Sequence, residues 1–292
     1  MELQWPLILF TAFIAWSAGL FATQCIYALR GKAPKAQMVS LFTSVVLLAI
    51  GGIAVFFHLQ HWTRIFNGFG HLTSGITQEL IGIVVIVIVM VVYFAYLRRS
   101  GDEAKVPKWL AIVGIVVSVA LVCVMGHSYV MPSRPAWDSV LQIGSLVGAA
   151  CALGPASFAI IAEIRGNQDS EAHGLIAIIG QGINVVLTAA YLVAMQLSTN
   201  ALTYVAYWYD PTSPTQDITE AENLSVFGGD ALVYTIIVII GLVIGVAAAI
   251  VGKKTGKWKI FGGIAVAGAL VAALCLRCVF YVMGVSVYPF FT

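Results

Sequence analysis

Charge is what this sequence has least of. Asp, Glu, Lys and Arg make up 10% of its 292 residues, against roughly 25% in soluble domains, so a water-soluble fold is excluded. Its apolar stretches lack any period-two alternation, which excludes a membrane β-barrel and leaves helices. No basic stretch precedes the first apolar run, and Arg30, Lys32 and Lys35 follow it, so that run is expected to stay as an anchor rather than be cleaved as a signal peptide. A net charge of +2 is too small to imply nucleic acid as a partner. The five cysteines all lie inside apolar runs, which argues against a disulfide framework. Cys275 and Cys278 form a C-x-x-C, but without a second cysteine pair they fall short of a metal or cluster site. There is no soluble domain, no low-complexity segment and no usable repeat, although eight spans can conceal a four-plus-four duplication.

What is present is apolar: 60% of the residues are hydrophobic and the mean hydropathy is +0.96. A helix needs about 20 apolar residues to cross the hydrocarbon layer. Runs of that length occur at 7–29, 38–57, 80–97, 109–131, 140–164, 175–197, 231–251 and 260–283. The expectation is one all-α membrane domain of eight transmembrane helices over 1–292. Arg30, Lys32, Lys35, Arg98, Arg99, Lys105, Lys108, Arg165, Lys253, Lys254, Lys257 and Lys259 fall on one side, and only Arg64, Arg134 and Arg277 on the other. Lys and Arg accumulate in cytoplasmic loops. Both termini are therefore expected on the outer, periplasmic side of a bacterial cytoplasmic (inner) membrane.

Small residues mark where helices should pack: Gly144 and Gly148 in the fifth run and Gly241 and Gly245 in the seventh have G-x-x-x-G spacing. Gly154-Pro155 in the middle of the fifth run should kink that helix. The one long connection, from 198 to about 229, carries Asp210, Asp217, Glu220, Glu222 and, at its end, Asp230, and no basic residue. It reads either as a solvated acidic loop or as a docking surface. Glu163 and Arg165 close the fifth run and read as ordinary helix-end charges.

Ionisable groups beside lipid need a partner or a function. They are densest between the second and third runs, in HLQHWTRIFNGFGHLTSGITQEL, where His58, His61, Arg64, Asn67, His71, Gln78 and Glu79 fall. His58 ends one apolar run and Glu79 adjoins the next. An imidazole that titrates near neutrality and a desolvated carboxylate suit proton abstraction from a hydroxyl of a lipid-soluble substrate. Arg277, in LCLRCVFY, lies inside the last run and must either snorkel outward, pair with Glu79 or face a cavity.

Taken together, QWPLILFT at residues 4–11, the His58-Leu59 pair with Arg64, Phe66 and Asn67 after it, Glu79 after a Ser/Thr-containing turn, and Arg277 with VFY at 279–281 are similar to the membrane anchor subunit of bacterial dimethyl sulfoxide reductase. The resemblance covers essentially the whole chain. It implies a menaquinol-oxidising subunit, with menaquinol bound near His58 and Glu79 and with Arg64 and Arg277 as further quinol-binding residues. It also implies an iron–sulfur electron-transfer subunit and a molybdopterin catalytic subunit as partners beside membrane lipid, with menaquinol as substrate and no haem or metal held by this chain. The sequence departs from the family where Gln60, His61 and Trp62 stand in place of a Gly and Pro after the His-Leu pair. Two rivals remain. A b-type haem protein needs facing axial ligands, and only His58 and His127 approach suitable depth. A solute transporter would need polar or broken helices at a midplane that reads as almost wholly apolar.

Overall fold

The computed structural model describes residues 3–58, 70–166, 170–199 and 224–286, in which every regular element is helical. Among the described residues eight helices are long and apolar enough to cross a membrane. They are α1 (Trp5–Leu29), α2 (Pro34–Phe56), α3 (Gly75–Ser100), α4 (Lys108–His127), α5 (Val140–Ile164), α6 (Ser170–Ser198), α7 (Ala231–Thr255) and α8 (Trp258–Val282), with a 3₁₀ turn at Gly101–Glu103. The chain is a multi-pass membrane protein.

Local chemistry sets the helix ends. Proline stands in the first turn of α1 and of α2, where its missing N–H has no intrahelical partner to lose. Ser139 caps α5 by accepting the Leu141 N–H at 3.2 Å. Gly256, at φ +70°, closes α7 in the left-handed conformation that L side chains avoid. Glu163 does more than end its helix: its carboxylate accepts the backbone N–H of Lys259 and so caps the first turn of α8 from another element. The Arg165 guanidinium donates 3.3 Å to the Lys35 carbonyl and ties the end of α5 to the start of α2.

Lipid tails are as apolar as leucine, so helix association in the membrane depends on close packing and internal hydrogen bonds. α1 and α5 are the most buried of the eight helices and pack on each other. Their crossing is made by two glycines. A side chain on Gly19 would strike the Ala150 carbonyl, and one on Gly154 would strike the backbone of Gly19. α5 runs unbroken through Pro155. That proline cannot donate to the carbonyl of Cys151 four residues earlier, and the freed oxygen instead lies against Gly180 of α6, where any side chain would collide with it. Of the two glycine pairs singled out by spacing, Gly148, Gly241 and Gly245 lie at close contacts, while Gly144 meets only an ordinary contact with Leu187. A Cβ on Gly148 would sit 3.1 Å from Asn184, one on Gly241 would sit 2.6 Å from the Gly268 carbonyl, and one on Gly245 would sit 2.6 Å from the Gln181 amide oxygen.

The neighbour pattern repeats. α1 packs on α2 and α4, and α3 on α4; α5 packs on α6 and α8, and α7 on α8. The molecule is thus two four-helix units joined through their first helices, the duplication that the sequence did not expose. The midplane is also less apolar than the sequence reading had it. Gln181, Asn184 and Thr188 form one buried stripe on α6, with Gln181 donating 3.5 Å to the Ala265 carbonyl and Thr188 donating 3.3 Å to Asn184. Gln181 thereby ties α6 to α8, while Thr188 and Asn184 pair within α6.

Gly154→Val, which would drive two methyl groups into the α1 backbone, is expected to lower stability by about 3 kcal/mol. Gly52→Ala and Gly263→Ala enter open space and should be neutral or raise stability by up to about 1 kcal/mol through helix propensity. Thermal melting of the three variants in detergent measures the contrast, and equal melting temperatures would refute the crossing as the critical contact.

Candidate functional site

The site is assembled at the helix ends opposite the Lys-rich loops. α2 runs out at Phe56, and the His58 N–H still bonds back to the Val55 carbonyl at 3.0 Å, which leaves the imidazole exposed just past the helix end. α3 begins at Gly75, so Glu79 lies in its second turn and is 7% exposed. α4 ends at His127, short of the apolar run, and the chain turns so that Ser128, Tyr129 and Met131 leave the helix. These pieces enclose a cavity of about 360 Å3, lined by Leu7 and Phe10 of α1, Val55, His58, the stretch from Ser74 to Ile83 on one face of α3, Ser128, Tyr129 and Met131.

Among the described residues Glu79 accepts a hydrogen bond from the Ser128 hydroxyl, which also lies 2.8 Å from the Met125 carbonyl. A hydroxyl carries a single proton. With Glu79 ionised, Ser128 donates to the carboxylate. With Glu79 protonated, the acid donates to Ser128 and the hydroxyl proton turns to Met125. The pair accommodates both protonation states without moving a heavy atom. Gly75 makes this possible, since a Cβ there would stand 2.6 Å from the Cβ of Ser128.

Arg277 is 4% exposed and turned into the bundle, not toward the surface. Its Nε donates 3.1 Å to the Thr11 hydroxyl, and its guanidinium lies 4.7 Å from the Tyr129 ring centroid and 4.5 Å from that of Phe280. Two aromatic faces thus receive a charge that the hydrocarbon would not. It does not line the cavity. Tyr129 stands between, one face of its surroundings being the cavity and the other the guanidinium. Arg277 and Glu79 are close enough to interact electrostatically. The same end of α8 is fastened by the connection before α5, where Trp137 stacks on Phe280 with centroids 4.3 Å apart and donates 2.7 Å to the Phe280 carbonyl.

The fold thus brings His58 and Glu79 onto one cavity and sets Arg277 behind its wall. Arg64 lies outside the described residues, as do His61, Asn67 and the acidic stretch containing Asp210, Asp217, Glu220 and Glu222. His71 and His127 are exposed and do not line the cavity. Gln78 donates 3.4 Å to the Leu72 carbonyl and shapes the turn into α3. Among the described residues no three His, Cys, Asp or Glu side chains come together as a metal-binding group. Ser128 and Tyr129 escaped the sequence reading, and Thr11 entered it only as the end of the QWPLILFT stretch. The polar break GHSY at 126–129, inside what looked like one apolar run, is the signal that marks the first two. His173, also passed over, is 2% exposed beside Tyr27 and Phe158.

Residues 1–283 match the family model of the DMSO reductase anchor subunit (DmsC). No curated protein matches the chain.

Replacing a planar, ring-stacked guanidinium by an ammonium forfeits both aromatic contacts and the fixed bond to Thr11. Arg277→Lys should therefore lower stability by about 1–2 kcal/mol, read as a reduced melting temperature. An unchanged melting curve would mean that the stacked geometry contributes nothing to the fold.

Proposed function

The chain belongs to the DMSO reductase anchor subunit family and is on that basis the membrane anchor of a DMSO reductase-type complex, and we propose that it oxidises menaquinol in the cavity shared by His58 and Glu79. The observation that carries this reading is the pairing of two proton acceptors on one otherwise largely apolar cavity at the edge of the hydrocarbon layer. A quinol headgroup is flat and apolar apart from two hydroxyls, and its oxidation releases two protons and two electrons. His58 takes one hydroxyl proton and, being exposed, passes it to water. Glu79 takes the other, with Ser128 switching from donor to acceptor as it does so. The Arg277 charge behind Tyr129 favours the anionic state through which a quinol must pass. Arg64 is a further candidate contact by resemblance alone.

The electrons leave for an iron–sulfur subunit that carries them to a molybdopterin catalytic subunit, which chooses the terminal acceptor. The chain holds neither haem nor metal in this reading, and electron flow through it begins and ends at the quinol. With the Lys-rich loops in the bacterial cytoplasm, the cavity, both termini and the docked partners lie on the periplasmic side.

His58→Ala and Glu79→Gln should each lower menaquinol-driven acceptor reduction by about 100-fold or more, while an artificial donor that reduces the soluble subunits directly is used at the normal rate. Survival of the quinol-driven rate in both variants would remove the cavity as the site. Loss of both rates together would locate the defect in assembly.

Proton release and consumption on one face also fixes the energetics. Moving a charge against 100 mV costs about 2.3 kcal/mol, and here no charge crosses. The complete complex in sealed vesicles, given quinol and acceptor, should turn over without a response from a potential-sensitive dye. A sustained, uncoupler-sensitive response would place the site and the partner on opposite faces.

A further inference from the structure

The repeat of the helix pattern carries down to single positions. α1 and α5 both contain 25 residues. Matching their first residues, Trp5 and Val140, also matches the two crossing glycines, Gly19 and Gly154. The same correspondence matches Trp16 with Cys151 and Ala22 with Ser157.

Exchanging the two units turns the crevice between α1, α2, α5 and α8 into the one between α5, α6, α1 and α4. Trp16 fills the first. It packs against the clusters that contain Leu47 of α2 and Val266 of α8, and its indole donates 2.7 Å to Ser157 of α5. In the second crevice Cys151 and Ala22 occupy the equivalent places, and the space the indole would take is open. It is a groove of about 260 Å3 in the half of the bundle toward the basic loops.

We propose that this groove holds an acyl chain of an anionic phospholipid whose phosphate lies between Arg30 and Lys108. The groove opens to the lipid side past Val119, Ile179 and Ile183, which are 47%, 51% and 39% exposed. Its two hydroxyls are spent on their own helices: Thr23 donates 2.8 Å to the Gly19 carbonyl and Ser118 donates 2.7 Å to that of Gly114. Neither hydroxyl is left to hold water or a headgroup, the freed Cys151 carbonyl is covered by Gly180, and a hydrocarbon tail is the occupant that restores the lost dispersion contacts. Charge selects which lipid. Arg30 follows the groove residue Ile26 by one helical turn, and Lys108 precedes the groove residue Ile115 by two turns on the neighbouring α4, so both extend the groove faces toward the headgroup layer. Both are exposed. Neither forms part of the cavity at the opposite end, so the inference stands apart from quinol oxidation.

The test uses the full chain in nanodiscs of equal phosphatidylglycerol and phosphatidylethanolamine, with native mass spectrometry after release to count retained lipid. The wild type should keep one phosphatidylglycerol in preference to phosphatidylethanolamine. Cys151→Trp, which copies the filled crevice, should lose it. Arg30→Gln with Lys108→Gln, both surface changes, should retain about tenfold less phosphatidylglycerol and lose the headgroup preference. Equal retention by either variant, a wild type without preference, or recovery of a quinone in place of the phospholipid would each overturn the proposal. Should Cys151→Trp fail to fold, the headgroup variant decides it alone.

Discussion

The close passage of α1 over α5 organises the rest of the molecule. Inside a bilayer there is little hydrophobic gain in bringing two helices together, so attraction rests on how near their backbones come. Gly19 and Gly154 remove the side chains that would hold α1 and α5 apart, and each helix then gathers its own unit around it. Pro155 adds to this in an indirect way. By withholding an N–H it frees the Cys151 carbonyl for α6, where Gly180 makes room. Two or three absent side chains thus decide the arrangement of long helices whose outward faces are interchangeable leucine, isoleucine and valine.

The cavity depends on that arrangement. Thr11 and Phe10 belong to the central α1, and through them the buried Arg277 and the cavity wall are referred to the same axis. A buried guanidinium with two ring partners and one hydroxyl is held more firmly than a flexible surface pair. Tyr129 is fixed by that charge on one side and borders the cavity on the other. Glu79 is fixed through Ser128 by the contact of Gly75 with the end of α4. His58, by contrast, follows the end of α2, where its backbone N–H bonds back to the Val55 carbonyl and its imidazole is exposed. In the proposed reaction one proton acceptor is thus buried and positioned and the other exposed to water, a division suited to a proton that must first be taken and then released.

Much of this was legible from composition. The eight helices follow from the length and continuity of the apolar runs, because a bilayer admits no other solution for a backbone of this kind. His58, Glu79 and Arg277 stood out because a titratable group beside lipid is costly and therefore rare. The G-x-x-x-G pairs could be found by spacing. Ser128 and Tyr129 were passed over although GHSY at 126–129 marks them, since hydropathy averaged over a window runs past a turn made of residues that are themselves half apolar. Glu163 looked like a helix-end charge because its partner, an amide of α8, is remote in the chain. The stripe of Gln181, Asn184 and Thr188 was lost in an apolar average for the same reason.

The sequence by itself determined the class of molecule, the number of its helices and the few residues able to carry protons, because transfer from water to hydrocarbon is a local property summed along the chain. Tertiary structure decided which of those residues meet. It placed His58 and Glu79 on one cavity, set Arg277 behind Tyr129 rather than in contact with it, and revealed the doubled four-helix plan with one crevice filled by Trp16 and its counterpart open. The reason is physical: a lipid-facing surface reads the same whichever neighbour it has, whereas helix pairing is set by steric contacts of a few tenths of an ångström between residues far apart in the chain.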